Sequence, residues 1–435
     1  MSITTGLVAR REIWAWASFD FANSGYTTVV LTAVYNAYFV AVIAGPAAGF
    51  APGQGTLLWT LAIGTANGLA LLTAPLLGAL ADHGAHKKRF LLIATLGCAL
   101  FTAALGLAGP GEVGWAVALV IGSAFMFAVG ENLIAAFLPE IAPPEQMGRI
   151  SAFGWAIGYV GGVLVLGACL GYLFWARGAG HGAEQYVPVI LLIVAVCFLA
   201  AALPTFLWLR ERAVPDTLRP ERFVVYFGEG WRRVGRTLHE RHRFRDLFRF
   251  LFTLVLYHSG IATVVVLAAV YAQEVMGFEQ SETIGLILVV NVTAAVGAFV
   301  FGRVQDRLGS LPTLSLTLVI WIAATVLAYA GTSRAGFWVV ANLVGIAMGA
   351  SQSAGRALIG QFTPPRRTAE FFGLWGLAVK LAAIIGPVSY GVIGYLTGGN
   401  HRLAILSTVT FFVLGLVSLW GIDEQRGRAA ARADS

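Results

Sequence analysis

Residues 302–310, GRVQDRLGS, decide the fold of this chain because a related stretch, GALADHGAHKK (78–88), lies about half a chain length before them. The aspartates of the two stretches, Asp82 and Asp306, are separated by about half of the chain. A second pair of stretches, IAPPEQMGRISAFG and FTPPRRTAEFFG, repeats with nearly the same separation, measured between Pro143 and Pro364. Two concordant offsets predict that the chain consists of two duplicated halves in parallel orientation.

The two motifs combine residue types that suit a loop between helices. Glycine lets helix ends approach each other closely, and the aspartate either lies at a helix N-terminus or pairs with a neighbouring basic residue. Such contacts hold one arrangement of the helices closed until they are broken. The sequence therefore predicts two gating loops, which contain Gly78, Asp82, Gly302, Asp306, Arg307 and Gly309.

Composition places the chain in a membrane. Of its residues, 58% are hydrophobic and 12% are charged, and the mean hydropathy is +0.77. Soluble domains carry about 25% charged residues. Apolar runs long enough to cross a hydrocarbon core of about 30 Å recur along the chain. We predict an all-α integral membrane protein of twelve transmembrane helices, at 14–42, 57–81, 90–109, 115–138, 151–173, 188–209, 247–272, 283–302, 311–331, 336–362, 368–396 and 403–422.

The longest segment between apolar runs separates six predicted spans from six. We predict an N-terminal six-helix bundle over 1–210, a basic cytoplasmic linker over 211–245, a C-terminal six-helix bundle over 246–422 and a cytoplasmic tail over 423–435. Part of the linker, RFVVYFGEGWRRVGRTL, is either a basic helix on the membrane surface or a solvated connector. The two bundles together predict the pseudo-symmetric architecture of a membrane transporter.

Basic residues lie almost entirely on one side of the predicted membrane. Of 29 Lys and Arg residues, 24 lie on the side that holds both termini, three lie on the opposite side and two lie inside spans. The positive-inside rule therefore predicts that both termini are cytoplasmic. The net charge of +7 needs no nucleic-acid partner, because a basic surface beside anionic lipid accounts for it. The excess of arginine over lysine suggests a bacterial inner membrane.

The first predicted span contains WAWASFDFANSGYTTVV (14–30), in which an acid lies among apolar residues. A carboxylate in hydrocarbon is costly unless it faces water or a partner. At about 100° per residue, Asp20, Asn23, Ser24, Thr27 and Tyr38 share one helix face. We predict that this face lines a central cavity. Asp20 either takes up a proton or a substrate cation there, or serves in capping and packing.

Three further charged side chains, Glu131, Arg356 and Lys380, fall inside predicted spans. Glu131 and Arg356 occupy nearly equivalent sites in the two halves, so either they approach one another or Glu131 forms a structural pair with a neighbouring helix. Lys380 lies too deep for its ammonium to reach water easily. It therefore binds a substrate carboxylate, pairs with an internal acid or competes with protons.

Two other spans carry polar residues at positions that suit a cavity. In the tenth predicted span, a polar and small-residue stripe predicts the cavity wall of the C-terminal bundle, and it consists of Asn342, Gly345, Gly349, Gln352 and Arg356. In the seventh, His258 and Tyr257 are weaker candidates, because a lone histidine in a helical bundle is more often a packing residue.

The sequence carries no catalytic or cofactor motif. It lacks a phosphate-binding loop, an HExxH pattern, a GxSxG pattern and paired cysteines. Cys98, Cys169 and Cys197 lie in apolar runs at spacings that fit neither a zinc site nor a disulfide framework, which favours packing roles. We therefore predict no enzyme activity, no catalytic residue, no metal site and no cofactor.

These motifs resemble those of the major facilitator superfamily. The second loop motif, GRVQDRLGS, matches the loop motif of that superfamily, whereas the first copy departs from it at His83, Ala85 and His86. The departures leave the first gating contact weaker or sensitive to pH. The resemblance covers essentially the whole chain and implies two six-helix bundles that rock about a central site.

Longer stretches are similar to the vacuole-effluxer branch of that superfamily. They are WASFDFANSGY, LPEIAPPEQMGRISAFGWAIGYVGG, LYHSGIATVVVLAAVYA, GASQSAGRALIGQFTPPRRTAEFFG and GLAVKLAAIIGP. The branch contains autophagy-related amino-acid effluxers of fungal vacuoles and bacterial relatives. This chain has Phe19, His258 and Ser259 where the branch usually has Tyr, Asn and Asp. The resemblance implies amino-acid efflux, and the last two differences leave the substrate open.

Together these observations predict a secondary active transporter that moves a small polar or zwitterionic, amino-acid-like metabolite by alternating access, coupled to a proton gradient. The predicted partners are a small-molecule substrate and the lipid bilayer, and the predicted oligomeric state is a monomer. Two other classes stay open: a lipid or lysolipid flippase or scramblase, and a non-transporting membrane receptor or scaffold. The predicted substrate or coupling residues are Asp20, Asn23, Thr27, Glu131, His258, Gln352, Arg356 and Lys380.

Overall fold

The computed structural model of the protein describes residues 10–84, 87–142, 144–212, 232, 235, 239–364 and 368–433. Side chains are described within these ranges except at 75–84, 139, 144–149, 151–152, 241, 306 and 368–370. The described chain is helical, and 12 helices are long and apolar enough to cross a membrane. The predicted all-α class and the predicted number of spans are confirmed.

The spans follow one another along the chain with short connections. Helices α1 and α2 belong to the first span, α6 is a short helix after the fourth span, and α15 follows the last span. The bounds are α1 Arg10–Tyr26, α2 Tyr35–Tyr38, α3 Gln54–Gly84, α4 Lys87–Ala104, α5 Val113–Ala135, α6 Leu138–Ile141, α7 Pro144–Gly178, α8 Ala183–Trp208, α9 Arg245–Glu274, α10 Gln280–Leu308, α11 Ser310–Ala330, α12 Arg334–Phe362, α13 Thr368–Leu396, α14 His401–Leu419 and α15 Glu424–Arg432.

The first span is not a regular α-helix. A π-helical segment, Thr27–Ala33, joins α1 to α2, and a second one, Phe39–Ile43, follows α2. In π-helical turns each hydrogen bond spans five residues instead of four, and such turns are frequent at functional sites. A constant step of about 100° per residue therefore fails beyond Tyr26. The direction of every later side chain in this span differs from that of a regular helix.

The two sides of the membrane protein differ in charge. We call the side that holds Arg10, Lys87 and Asp246 the basic side, and the other side, which holds Pro46 and Arg334, the opposite side. We call the spans up to α8 the N-terminal half and those from α9 onward the C-terminal half. The boundaries of the predicted bundles, linker and tail stay predictions.

On the opposite side, the two halves contact each other directly. The Asn36 side-chain amide donates to the Val266 carbonyl at 2.7 Å, and the Gln280 amide donates to the Ala33 carbonyl at 2.9 Å. Between α3 and α13 the approach is so close that a Cβ at Gly391 would collide with the Thr60 hydroxyl. Close approach through small residues is how membrane helices gain packing contacts. These contacts close the opposite side between the halves.

On the basic side, hydrogen bonds join the helix ends of the N-terminal half. The Glu211 carboxylate accepts from the backbone N–H of Lys87 at 2.7 Å, at the beginning of α4. Arg212 forms an ion pair with Glu12 at 2.8 Å, and Lys87 forms one with Glu140 at 2.9 Å. A carboxylate at a helix N-terminus satisfies backbone donors that have no partner within the helix.

The C-terminal half repeats this network at corresponding positions. The Glu424 carboxylate accepts from the backbone N–H of Leu311 at 3.3 Å, near the beginning of α11. Arg426 forms two hydrogen bonds with Asp246, at 2.6 and 2.7 Å, at the beginning of α9. Arg428 donates to Gln361 at 3.0 Å, at the end of α12. The segment after the last span therefore contains a helix, α15, that is bonded to the bundle.

Two of the corresponding pairs have the offsets of the duplicated motifs. Lys87 and Leu311 have the same separation along the chain as the aspartates of the two loop motifs. Glu140 and Gln361 have the same separation as the prolines of the two Pro-Pro motifs. In each half, an acid that follows the sixth span accepts a hydrogen bond from a backbone N–H near the beginning of the third span. An arginine close to that acid in sequence binds a second acid, which lies near the beginning of the first span.

We expect Arg426→Gln to lower the melting temperature of the detergent-solubilised protein by at least about 2 °C. The reason is that Asp246 is only 3% exposed and loses the cation that compensates its charge. Thermal denaturation followed by size exclusion measures the effect. The control is Arg432→Gln on the same helix, whose side chain is exposed. Equal melting temperatures for the two variants would contradict a stabilising role for this pair.

Candidate functional site

A cavity of about 280 Å³ lies between the two halves. Helices α1, α5 and α7 line it from the N-terminal half, and α9, α10, α11 and α12 line it from the C-terminal half. The space between two bundles is where transporters of this architecture bind their substrates. The volume lies just below the range of about 300–1,000 Å³ that is usual for small-molecule sites.

The first span supplies most of the polar wall of this cavity. Asp20, Asn23, Ser24 and Thr27 line it, as the sequence predicts. Tyr38, which was expected on the same face, is not among the described residues that line it. The π-helical segment is the physical reason, because it changes the angle between successive side chains after Tyr26. The cavity wall continues instead through Thr28 and Thr32, which sequence reasoning missed.

A side-chain oxygen in this wall has no hydrogen-bond partner among the described residues. The Asn23 side-chain oxygen is buried and has no hydrogen-bond partner among the described residues. By contrast, the Thr27 hydroxyl donates to the Asn23 backbone carbonyl at 3.0 Å, and the Thr28 hydroxyl donates to the Ser24 carbonyl at 2.8 Å. Buried acceptors are almost always paired with protein or water. The Asn23 oxygen is therefore an acceptor that the described residues leave unused.

Glycines of α7 allow the close approach of α1 to this wall. A Cβ at Gly154 would collide with the Asp20 carboxylate and the Trp16 ring, and a Cβ at Gly158 would lie 2.8 Å from the Ser24 hydroxyl. Because glycine has no side chain, the carboxylate of Asp20 fits between the two helices. The Asp20 position thus depends on a helix that is distant in sequence.

An ion pair joins the two halves beside the cavity. The Lys380 ammonium on α13 donates to the Glu131 carboxylate on α5. The side chain of Lys380 is 9% exposed and that of Glu131 is 48% exposed, so the acid end of the pair is the accessible one. His258 lies near enough to interact electrostatically with both charges. Of the alternatives for Lys380, the structure has the pairing with an internal acid.

Arg356 lies between aromatic rings from both halves. Its guanidinium is 4.6 Å from the ring centroid of Trp155 on α7 and 5.6 Å from that of Trp375 on α13. Cation–π contacts of this kind are attractive when the cation lies within about 6 Å of the ring. Asp20 and Glu131 lie near enough for their charges to act on the guanidinium. Glu131 therefore has an ion pair with Lys380 and only a longer-range interaction with Arg356.

The charges in this region have opposite signs in the two halves. Asp20 and Glu131 are the acids of the N-terminal half, and Arg356 and Lys380 are the bases of the C-terminal half. Among the described side chains of this cluster, two acids therefore face two bases. Such a cluster can present both an anionic and a cationic group to one small molecule.

The predicted stripe on α12 divides between two surfaces. Gln352 lines the cavity. Gly345 and Gly349 instead pack against the α10 backbone, where a Cβ at either position would collide with carbonyl oxygens of Val290 and Ala294. The prediction of a continuous cavity wall is therefore wrong for these two glycines. They lie in the contact between α12 and α10, where only small residues fit.

Other predicted residues lie away from the cavity wall. Asn342 donates to the Trp338 carbonyl of its own helix at 2.7 Å. His258 and Tyr257 are not among the described residues that line the cavity, and Tyr257 is fully buried against Gly355 and Gly415. Their positions follow from the rotation of α9, which a single periodicity does not determine.

Among the cavity residues that sequence reasoning missed are a further polar residue and two aromatic ones. Asn291 on α10 is 8% exposed and donates to the Ile287 carbonyl at 2.9 Å, and Trp155 and Tyr159 on α7 complete the wall. The single asparagine in the apolar run ILVVNVTAAV was the available signal for Asn291. The aromatic residues carry no such signal, because aromatic side chains are common in lipid-facing and buried positions alike.

The predicted gating loops are placed only in part. Gly309 joins α10 to α11 with φ +92°, a conformation that favours glycine, and Arg307 at the end of α10 is exposed. Gly302 lies within α10 with open space where a Cβ would be. Gly78 lies within α3, and the side chains of Asp82 and Asp306 lie outside the described part of the structure. The gating role of these residues stays a prediction.

Within the part of the chain that the structure describes, no group of three or more His, Cys, Asp or Glu side chains could hold a metal ion. The described residues that line the cavity offer asparagine and threonine side chains, two acids, Asp20 and Glu131, and an apolar wall on the side of α10 to α12. The predicted bases Arg356 and Lys380 are not among those residues and lie beside the cavity.

Solved transporter structures have the same fold at low sequence identity. The nucleoside transporter NupG has a TM-score of 0.67 and 15% identity over 96% of this chain and 99% of that chain. The D-xylose-proton symporter has a TM-score of 0.69 and 14% identity over 96% and 98%. A bacterial homologue of the human lysosomal transporter Spinster, inward-facing and occupied, has a TM-score of 0.66 and 16% identity over 97% of each chain. The fold is that of the major facilitator superfamily.

Sequence relatives agree with this fold. The protein named "Uncharacterized MFS-type transporter YxiO" from Bacillus subtilis (strain 168) is 28% identical over 415 residues, which is 94% of each chain. Autophagy-related protein 22-1 from Emericella nidulans is 26% identical over 309 residues, 66% of this chain and 51% of the relative. The chain thus spans about half the length of the fungal relatives it matches.

A family model described as "Vacuole effluxer Atg22 like" matches residues 56–432. The match covers most of the chain and includes α3 to α15. The chain therefore belongs to the vacuole effluxer Atg22-like family and is a multi-pass, MFS-type membrane transporter rather than an enzyme.

Proposed function

We propose that this transporter moves a small zwitterionic metabolite of amino-acid size by alternating access of the central cavity. The observation that carries the proposal is the Glu131–Lys380 ion pair, which joins the two halves beside that cavity. A zwitterion carries the same two charges as the pair. The carboxylate of the substrate would bind Lys380, and its ammonium would bind Glu131.

The energetic reason is the cost of unpaired charge in a membrane. The Lys380 side chain is only 9% exposed, so removal of Glu131 would leave its ammonium without a compensating charge, which is costly. The empty transporter therefore keeps the pair and holds the halves together on this side. A bound zwitterion replaces both partners at once, so the halves can separate without exposing an uncompensated charge.

The rest of the cavity suits the remainder of such a molecule. The Asn23 oxygen accepts a hydrogen bond, and Gln352 faces the same space from the C-terminal half. Leu267, Ile287 and Val340 form part of an apolar wall away from the charges. An amphipathic metabolite can place its charged end at the ion pair and its apolar part against this wall.

We assign proton coupling to Asp20. Its carboxylate lies at the cavity wall within electrostatic reach of Arg356 and is separate from the Glu131–Lys380 pair. A carboxyl group in this position is charged or neutral depending on whether Arg356 is near. Movement of the C-terminal half relative to α1 then changes the proton affinity of Asp20, which couples proton release to the transport step.

The proposed orientation follows from charge. We place the basic side in the cytoplasm of a bacterial cell and the protein in the inner membrane, as a monomer. The moving bodies are then the bundles 1–210 and 246–422, connected by the basic linker 211–245, with the tail 423–435 on the C-terminal bundle. Contacts on the opposite side must break for the cavity to open outward.

The ion pair predicts a specific pattern among three variants. We expect Lys380→Met and Glu131→Gln to fold but to lose thermal stabilisation by amino acids, and to lower uptake into proteoliposomes at least about tenfold, which corresponds to about 1.4 kcal/mol. The exchanged variant Glu131→Lys with Lys380→Glu should regain thermal stability without regaining uptake, because the substrate's two charges then meet the wrong partners.

The matched control is Glu184→Gln, which removes an exposed acid on the opposite side. Full uptake by the exchanged variant would show that the pair is only structural. Unchanged amino-acid stabilisation in Lys380→Met would contradict the zwitterion site, and stabilisation by lipids alone would favour a lipid flippase.

For Asp20, we expect Asp20→Asn to abolish accumulation driven by a proton gradient while exchange of labelled for unlabelled substrate continues. Exchange needs the cavity but no net proton movement, whereas accumulation needs the titrating carboxyl group. Proteoliposomes with an imposed pH difference measure accumulation, and the same vesicles without it measure exchange. Gradient-driven accumulation at the wild-type level in Asp20→Asn would refute this assignment.

A further inference from the structure

A separate concavity lies on the outer surface of the C-terminal half. It is a groove of about 570 Å³ between the beginning of α9 and the end of α14, at the basic side. None of the described residues that line it lines the central cavity. We call it the α9–α14 groove, and it is lined by His242, Arg245, Phe248, Arg249, Phe252, Thr253, Val417, Ser418 and Gly421.

The polar end of the groove is basic. Arg245 and Arg249 are one helical turn apart on α9, so their guanidinium groups project on the same face, and His242 lies just before them. Among the described residues that line the groove there is no acid. Asp246, the acid beside Arg245 in sequence, is 3% exposed and is occupied by two hydrogen bonds from Arg426. The described residues that line the groove therefore carry positive charge and no carboxylate, and the nearby Asp246, which also acts electrostatically on Arg249, is bonded to Arg426.

The other end of the groove is apolar and faces outward. Phe252 is 62% exposed and Val417 is 49% exposed, although both lie within membrane-spanning helices. Trp420, beside the groove, is 79% exposed at the end of the last span. Exposed tryptophan at a span end is typical of the interface between hydrocarbon and head groups. The groove therefore crosses that interface, with its charges at head-group level and its aromatic side chains at the level of acyl chains.

Hydrogen bonds hold the floor of the groove in place. The Ser418 hydroxyl donates to the Thr253 hydroxyl at 2.8 Å and joins α14 to α9. One N–H of Arg249 donates to the Gly421 carbonyl. Since a guanidinium has five donors in a fixed plane, Arg249 keeps others for a ligand. The site is thus formed without the ligand, which lowers the entropy cost of binding.

We propose that the α9–α14 groove binds one anionic phospholipid, with its phosphate against Arg245 and His242 and its acyl chains along Phe252 and Val417. Guanidinium groups bind phosphate oxygens with paired hydrogen bonds in a matching geometry. Basic pockets between membrane helices recognise anionic head groups in this way. The apolar half of the groove distinguishes a lipid from free phosphate, which has nothing to place there. The lipid is a bound partner of the fold and is not the transported substrate.

The test measures binding of defined lipids to the full chain in detergent. Phosphatidylglycerol, phosphatidylcholine and inorganic phosphate are added separately, and thermal stability and native mass spectra are recorded. We expect phosphatidylglycerol alone to raise the melting temperature and to give a one-lipid adduct. Equal effects of the two lipids would overturn the role of the charges, and an equal effect of phosphate would show an anion site without lipid.

The variant Arg245→Gln with His242→Gln should weaken phosphatidylglycerol binding at least about fivefold, while uptake of the transported substrate in phosphatidylcholine vesicles is unchanged. Both side chains are exposed, so folding does not depend on them. The matched control is Arg303→Gln, which removes an exposed arginine over Phe299 elsewhere at the basic side. Unaltered binding in the double variant, or equal loss in the control, would refute the site.

A photo-crosslinking phosphatidylglycerol places the lipid on the unmodified chain. Labelled peptides should come from 242–253 and from 417–421, the two segments that form the groove. Labelling confined to other spans would overturn the proposal even if the variants bind less lipid.

Discussion

The contact between Glu131 and Lys380 is the interaction on which the central site depends. Either charge alone inside a membrane is costly, so each half of the molecule carries a residue that only the other half can compensate. The same division of charge includes Asp20 in one half and Arg356 in the other. The site is therefore a property of the assembled pair of halves. This division of charge is the basis on which we propose a ligand that carries both charges.

Backbone irregularity brings the polar groups to this contact. The π-helical segment in the first span moves Thr28 and Thr32 into the cavity wall and Tyr38 out of it. Glycines then let neighbouring helices approach, as Gly154 does at Asp20 and Gly349 does at α10. In a membrane, where apolar surface gains little from helix contact, close approach of backbones supplies much of the association energy. The same residues that pack the bundle therefore also shape the site.

Duplication is visible in the hydrogen bonds of the basic side as well as in the motifs. In both halves an acid after the sixth span, Glu211 or Glu424, accepts from the N-terminus of the third span. In both, the neighbouring arginine neutralises an acid at the start of the first span. In the C-terminal half this contact occupies Asp246 and leaves Arg245 and Arg249 without a carboxylate among the described groove residues. The Arg426–Asp246 contact, which joins α15 to α9, thus engages the acid that lies beside Arg245 in sequence.

The sequence by itself determined the twelve spans and the family, because hydrophobic runs and sequence motifs are local properties of the chain. It also identified Asp20, Asn23 and Gln352 as cavity residues, since polar residues in apolar spans are costly elsewhere. Only the tertiary structure decided that Glu131 pairs with Lys380, that Gly345 packs instead of lining the cavity and that α15 closes a network. Those outcomes depend on the rotation of each helix and on contacts between segments that are distant in sequence. The periodicity of a single helix gives no information about either.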